Sequence, residues 1–168
     1  LVFGMAAVAL LLVSSTLEGT ALRHFDWPNS GTCMGGPRDG KMVRDLKFCG
    51  AMINGHTNGK YLDDRFYDPF WERAAALDAP VYVHPADPVA ALPVLAGYSV
   101  LVRPMWGWGV ETGSHALRII SGGVFHRYPK AKLLLGHLGE TLPFLLWRFD
   151  SRSKPYGWDL PKPPSQYI

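Results

Sequence analysis

Pro80-Val81-Tyr82-Val83-His84-Pro85 is the stretch from which the rest of the chain is read. Pro80 keeps the residue before it out of a helix, three strand-favouring residues follow, and the run stops at a histidine ahead of a second proline. The same order returns downstream as Lys132-Leu133-Leu134-Leu135-Gly136-His137. Both runs are too short for a helix and apolar on both faces, as strands buried inside a parallel sheet are. Between them, Ala116, Leu117, Ile119, Ile120 and Val124 mark the apolar face of a helix predicted over 111–125, closed by Tyr128-Pro129.

Working outward, residues 48–53 form another short apolar run that ends at the turn Asn54-Gly55. A polar loop over 55–67 leads to Asp68, a suitable N-cap, and Pro69, suited to the first helical position of a helix over 70–77. Residues 86–109 are a long connection rich in Pro, Gly and Trp, the kind that serves as a functional lid or a packed surface excursion. After His137, Gly139-Glu140 is expected to open a helix running through Phe149, with Pro143 tolerated in its first turn.

Strand and helix therefore alternate, which predicts an α/β fold with a parallel sheet, either a barrel or an open doubly wound sheet. A (β/α)8 barrel typically takes about 250 residues, so a chain of 168 holds only part of one. Residues 1–168 are read as a single domain, incomplete as a barrel. Segment 14–44 shows neither period and reads as an irregular insertion or an aberrant segment. The tail over 159–168 reads as extended, without a closing element.

Composition narrows the function. Hydrophobic residues make up 48% of the chain, enough for a sizeable core, while charged residues are 18% and the formal net charge is +3. No run of Lys or Arg offers a phosphate-binding patch, so nucleic acid is not an expected partner. The apolar stretch 1–13 is shorter than the ~20 residues that span a bilayer and lacks a charged flank, so it reads as a buried strand, with a signal-peptide core as the alternative. A membrane is not expected. Cys33 and Cys49 fit neither a metal motif nor a disulfide framework, which favours a reducing compartment, the cytoplasm.

His84 and His137 are the candidates for chemistry. Each directly follows a strand and so falls at the carboxyl rim of a parallel sheet, where such folds bind ligands. A histidine there is either a satisfied structural residue or a functional one, and a pair at equivalent places strengthens the second reading. Imidazole both ligates metals such as Zn²⁺ and transfers protons near neutral pH. Glu140, three residues beyond His137, would fix that imidazole's tautomer, or would simply sit at a helix N-terminus favoured by the dipole. Arg148 would hold a substrate carboxylate or pair with Asp150 or Glu140. His56 could line the same rim or belong to a turn-rich loop, His115 reads as a core or interface residue, and His24 and His126 have no supporting neighbours.

These segments resemble a known family. Gly50-Ala-Met-Ile-Asn-Gly55, Tyr61-Leu-Asp-Asp64, Tyr67-Asp-Pro-Phe-Trp-Glu72, Pro80-Val-Tyr-Val-His-Pro85, Gly136-His-Leu-Gly-Glu140 and Leu142-Pro-Phe144 occur in the order seen in the amidohydrolase-related family of the amidohydrolase superfamily. Within it the chain is most similar to γ-resorcylate and 2,3-dihydroxybenzoate decarboxylases. The resemblance implies a partial metal-dependent (β/α)8 TIM barrel that removes a carboxyl group from a phenolic, hydroxybenzoate-type acid without redox chemistry. It implies His84 as a metal ligand for Zn²⁺ or Mn²⁺, and His137 with Glu140 as the catalytic proton network. Asn54 and Arg148 are the candidate substrate-binding residues, the small aromatic acid is the expected partner, and the full-length protein is expected to be a homo-oligomer. Family members also carry an acidic-x-His pair on the first strand and a late-strand aspartate. Neither is found in this sequence, so the fragment by itself is expected to be inactive. A metal-dependent hydrolase on the same barrel and a non-catalytic remnant are the alternatives.

Overall fold

The computed structural model describes residues 50–57, 59–90 and 92–168. The chain divides into two compact units, Leu1–Met52 and Ile53–Ile168, and nearly all described residues fall in the second. The expectations for 1–13, segment 14–44, His24, Cys33 and Cys49 lie outside the described residues.

Strands β1 (Ala51–Asn54), β2 (Val81–His84) and β3 (Leu133–Leu135) form one sheet in the order β1-β2-β3. β2 and β3 run parallel, with Val81 opposite Leu133, Tyr82 opposite Leu134 and Val83 opposite Leu135. Between β1 and β2 lies α1 (Asp68–Ala76), and between β2 and β3 lie α2 (Ser99–Val102), α3 (Gly107–Ser121) and α4 (Val124–Arg127). α5 (Leu142–Ser153) follows β3. The expected α/β alternation with a parallel strand pair is present. Val81, Val83, Trp71, Ala116, Ile119 and Val124 are fully enclosed between the sheet and its helices, and burial of a valine or isoleucine side chain stabilises by roughly 1.5–3 kcal/mol.

Several boundaries differ from the sequence expectation, each for a local reason. Asp68 is not the N-cap of α1 but its first residue. A 3-10 turn over Arg65–Tyr67, capped by Asp64 accepting from the Phe66 N–H at 2.8 Å, runs straight into the helix. The Asp68 carboxylate instead meets Arg65 at 3.1 Å and Arg127 at 3.0 Å. α3 begins at Gly107 rather than at Glu111, and it stops at Ser121 because Gly123 takes a left-handed φ of 71°. The connection 86–109 is not structureless, since it contains a 3-10 turn over Pro93–Leu95 and the short helix α2. The tail is not simply extended either. It turns at Pro164–Gln166 and is anchored on α5, where Asp150 accepts from the Ser165 N–H at 2.9 Å and from its Oγ–H at 2.6 Å.

α3 is fastened to the loop after β1 along one polar seam. Glu111, His115 and Arg118 share a helix face, and they engage three successive loop residues. The Tyr61 hydroxyl donates to Glu111 Oε2 at 3.0 Å, the Leu62 N–H donates to His115 Nε2 at 3.0 Å, and Arg118 grips Asp63 with two bonds of 2.9 Å. His115 is fully buried, as the core reading expected. No helix among the described residues is long and apolar enough to cross a membrane.

Candidate active site

The parallel register sets the two histidines side by side. Val83 lies opposite Leu135, so the ends of β2 and β3 are level, and the Gly136 N–H donates to the Val83 carbonyl at 2.9 Å. Gly136 has to be glycine: a Cβ there would lie 2.5 Å from Pro85 Cδ and 3.0 Å from the Tyr82 hydroxyl. With the strand ends in contact, the His84 and His137 rings have centroids 5.8 Å apart and planes at 78°. His84 Nδ1 lies 2.7 Å from the Pro85 carbonyl. A carbonyl only accepts, so Nδ1 carries the proton and Nε2 keeps a lone pair for a metal ion or a proton.

Beyond β3 the backbone turns in a way the sequence did not announce. His137, Leu138, Gly139 and Glu140 all have positive φ, at 47°, 59°, 78° and 54°. Three of these are not glycine, and such left-handed residues cost roughly 1–2 kcal/mol each, a strain that concentrates at functional sites. The turn folds Glu140 back so that its Oε1 lies 3.0 Å from His137 Nδ1. Oε1 is buried and lacks a hydrogen bond of good geometry, so the two atoms lie at hydrogen-bond distance but off the hydrogen-bonding line. Glu140 therefore lies just ahead of the helix rather than opening it, since α5 starts at Leu142 with Thr141 as its N-cap. Pro143 does lie in the first turn of α5.

The first turn of α3 closes over this group. The Trp108 ring centroid is 6.3 Å from that of His84 and 6.1 Å from that of His137. Gly109 packs against Glu140, with Oε2 only 3.0 Å from where a Cβ would stand. Sequence reasoning missed Trp108. The Trp-rich segment 105–109 was visible, but it was assigned to a loop when it is the start of a helix.

The remaining candidates stay further off. Asn54 ends β1 beside His84, whose carbonyl accepts from the Gly55 N–H at 3.0 Å, and Asn54 itself is exposed. Arg148 is exposed on α5 and forms neither of the ion pairs considered for it, with Asp150 or with Glu140, among the described residues. His56 is half-buried near Tyr61, with ring centroids 6.0 Å apart, and its Nδ1 accepts from the Gly59 N–H. A cavity of about 310 Å³ between α3, β3 and the tail, lined by Ile120, Phe125, Leu133, Leu135 and Tyr167 among others, shares none of these residues.

Titration behaviour is shifted in the seam behind the site. Burial depresses His115 to about 4, from an ordinary 6.5. Burial also raises the Glu111 carboxyl, and burial followed by the Glu111 contact pushes the Tyr61 hydroxyl up to about 12.

Among the described residues no three His, Cys, Asp or Glu side chains converge as a metal ion would require. His84 Nε2 is a chemically suitable donor, but these residues do not make a metal centre by themselves. What they can do is hold and deliver a proton, through an imidazole steadied by a carboxylate, beside an aromatic wall.

A family model described as Amidohydrolase matches residues 38–158. Over 120 residues the chain is 41% identical to γ-resorcylate decarboxylase of Polaromonas sp. (strain JS666), covering 67% of this chain and 37% of that protein. The 5-carboxyvanillate decarboxylase LigW from Sphingomonas paucimobilis superposes with a TM-score of 0.69 at 33% identity, over 79% of this chain and 44% of that one. A dihydroxybenzoic acid decarboxylase from Polaromonas sp. JS666, solved with bound manganese and the inhibitor 2-nitroresorcinol, superposes with a TM-score of 0.62 at 41% identity, over 74% of this chain and 40% of that one. The chain thus spans about two fifths of the length of the relatives it matches.

Proposed function

We propose a function from one premise: the chain belongs to the amidohydrolase family. That function is the metal-dependent, non-oxidative decarboxylation of a hydroxybenzoate-type aromatic acid. The observation that carries it is the His84–His137–Glu140 group at the carboxyl rim of paired parallel strands, with Trp108 beside both imidazoles. Similarity to decarboxylases of phenolic acids supports the substrate class.

In this reading His137, steadied by Glu140, supplies the proton that replaces the carboxyl group on the ring carbon. One C–C bond breaks, one C–H bond forms and CO2 leaves, with no change of oxidation state to be met by a cofactor. His84 is the metal ligand that this segment contributes, and a bound divalent ion would engage the acid's oxygens. Manganese is preferred over zinc because a relative binds it. Among the described residues no three metal-ligating side chains converge, so further ligands for the ion would come from outside them. Asn54 and Arg148 are assigned to the substrate, Arg148 to its carboxylate. The remaining parts of the reading are a single (β/α)8 barrel domain of which this chain is a portion, a homo-oligomeric assembly and a cytoplasmic setting.

The test uses protein expressed from the whole reading frame, incubated with manganese and 2,6-dihydroxybenzoate while CO2 is measured. His84→Ala is expected to lower bound metal, and His137→Ala to abolish turnover with metal retained. Hydrolysis of lactones or amides without CO2 would point to a hydrolase on the same scaffold. Equal activity in both variants would end the division of roles.

A further inference from the structure

Asp87 stands at the start of the long excursion between β2 and α3, and Trp108 stands at its end. The Trp108 indole N–H donates to Asp87 Oδ1 at 2.6 Å, a contact between residues 21 apart in sequence. The other carboxylate oxygen faces Arg103 Nε at 3.4 Å. The neck of the excursion is therefore pinned by one carboxylate that faces an indole on one side and a guanidinium on the other.

This matters because of where the indole lies. Its centroid is within 6.1–6.3 Å of both imidazoles, and its plane is inclined 35° to that of His137. An indole has one polar atom and two side-chain torsions. Once Gly109 is seated against Glu140 and the N–H is bonded, the ring plane has little freedom left. Bonds of this charge-assisted type are short and stronger than neutral ones. Arg103 and Asp87 are both largely exposed, so their ion pair steadies the carboxylate only weakly.

We propose that Asp87 is a positioning residue: it fixes the plane of Trp108 against His84 and His137, and so sets the slot that an aromatic acid must enter. The identity of that acid rests on the decarboxylase reading. The hold of Asp87 on Trp108 does not.

The experiment is nuclear magnetic resonance on ¹⁵N-labelled protein expressed from the whole reading frame, with the Trp108 indole signal assigned through Trp108→Phe. In Asp87→Ala the indole proton should move upfield and exchange with water about tenfold faster or more, as loss of a bond to a charged group predicts. The His84 and His137 ring signals should shift with it as the indole turns. Asp87→Asn keeps an acceptor oxygen and should retain the wild-type pattern. Titration with 2,6-dihydroxybenzoate should show binding about tenfold weaker in Asp87→Ala than in the wild type or Asp87→Asn. Unchanged indole and imidazole signals in Asp87→Ala would overturn the proposal, and so would Asp87→Asn behaving like Asp87→Ala while circular dichroism remains native. If the signals respond as expected but no form binds 2,6-dihydroxybenzoate, Asp87 keeps its role and the decarboxylase reading is the one that fails.

Discussion

Acidification should weaken this protein through His115, and the size of the effect follows from the seam. His115 is fully enclosed, and its Nε2 must keep a lone pair to accept the Leu62 N–H at 3.0 Å. Burial holds it near 4 against an ordinary 6.5, with Asp63 opposing and Arg118 and His56 reinforcing the shift. The unfolded chain therefore binds a proton at His115 below pH 6.5 that the folded chain refuses until about pH 4. Stability from this group is fully present above pH 6.5, is lost progressively as pH falls, and levels off below 4. Each pH unit inside the window is worth up to about 1.4 kcal/mol, so the whole amounts to about 3 kcal/mol. His115→Gln is the control, because its amide oxygen can accept the same N–H and does not titrate. Urea unfolding at pH 7, 6, 5 and 4, followed by near-ultraviolet circular dichroism, should show the wild-type midpoint falling relative to the variant. At an m-value of about 2 kcal/mol/M the extra fall is about 1.5 M. Parallel pH dependence in the two proteins would refute the reasoning.

Glu111 titrates in the opposite sense. Burial raises its carboxyl, so its stability is complete below the ordinary carboxylate range and is lost as pH rises through the folded value. Glu111→Gln, which still accepts from Tyr61, should raise the urea midpoint at pH 7, with the gain vanishing at pH 4. Gly136→Ala would drive a methyl to 2.5 Å from Pro85 Cδ; it should cost roughly 1–3 kcal/mol in thermal unfolding and part the histidine pair. Leu138→Gly removes a left-handed leucine that is 73% exposed. Relief of about 1–2 kcal/mol of strain exceeds the roughly 0.5–1 kcal/mol entropic cost of glycine, so calorimetry should show a modest rise in melting temperature, while turnover of the whole protein falls as Glu140 loses its fixed place.

What was legible in the sequence was whatever a few neighbouring residues decide. The runs 81–84 and 133–135 announced themselves as strands by being short, apolar and ended by Pro85 and Gly136, although the expected burial on both faces does not hold for β3, where Leu134 is exposed. The histidines followed from the strand ends, and their proximity followed from the parallel order. The start of α3 did not show, because Gly107 and Gly109 read as helix breakers. In the fold they occupy a first turn, where a side chain at Gly107 would run into the Val102 carbonyl and one at Gly109 would press on Glu140. The left-handed turn was hidden because nothing about Leu138 or Glu140 favours positive φ. Trp108 could be seen as an aromatic residue, but its place over the imidazoles depends on where α3 docks. The substrate roles of Asn54 and Arg148 depend on a substrate position that the described residues do not define.

The seam between α3 and the loop after β1 also bears on the order of folding. Its bonds join residues 50, 53 and 55 positions apart, so none can form until a long stretch of chain has been brought back on itself. The entropy of closing that loop is lost once, at the first bond, and grows only with the logarithm of its length. The other two residue pairs then bond between groups already held together. The seam should therefore close as one event, late and all at once, as contacts of long sequence separation do. The neck at Asp87 and Trp108 closes a shorter loop, of 21 residues, and carries a smaller entropy cost. A ribosome that has not yet delivered Arg118 would hold a chain whose seam still lacks its last link, to Asp63.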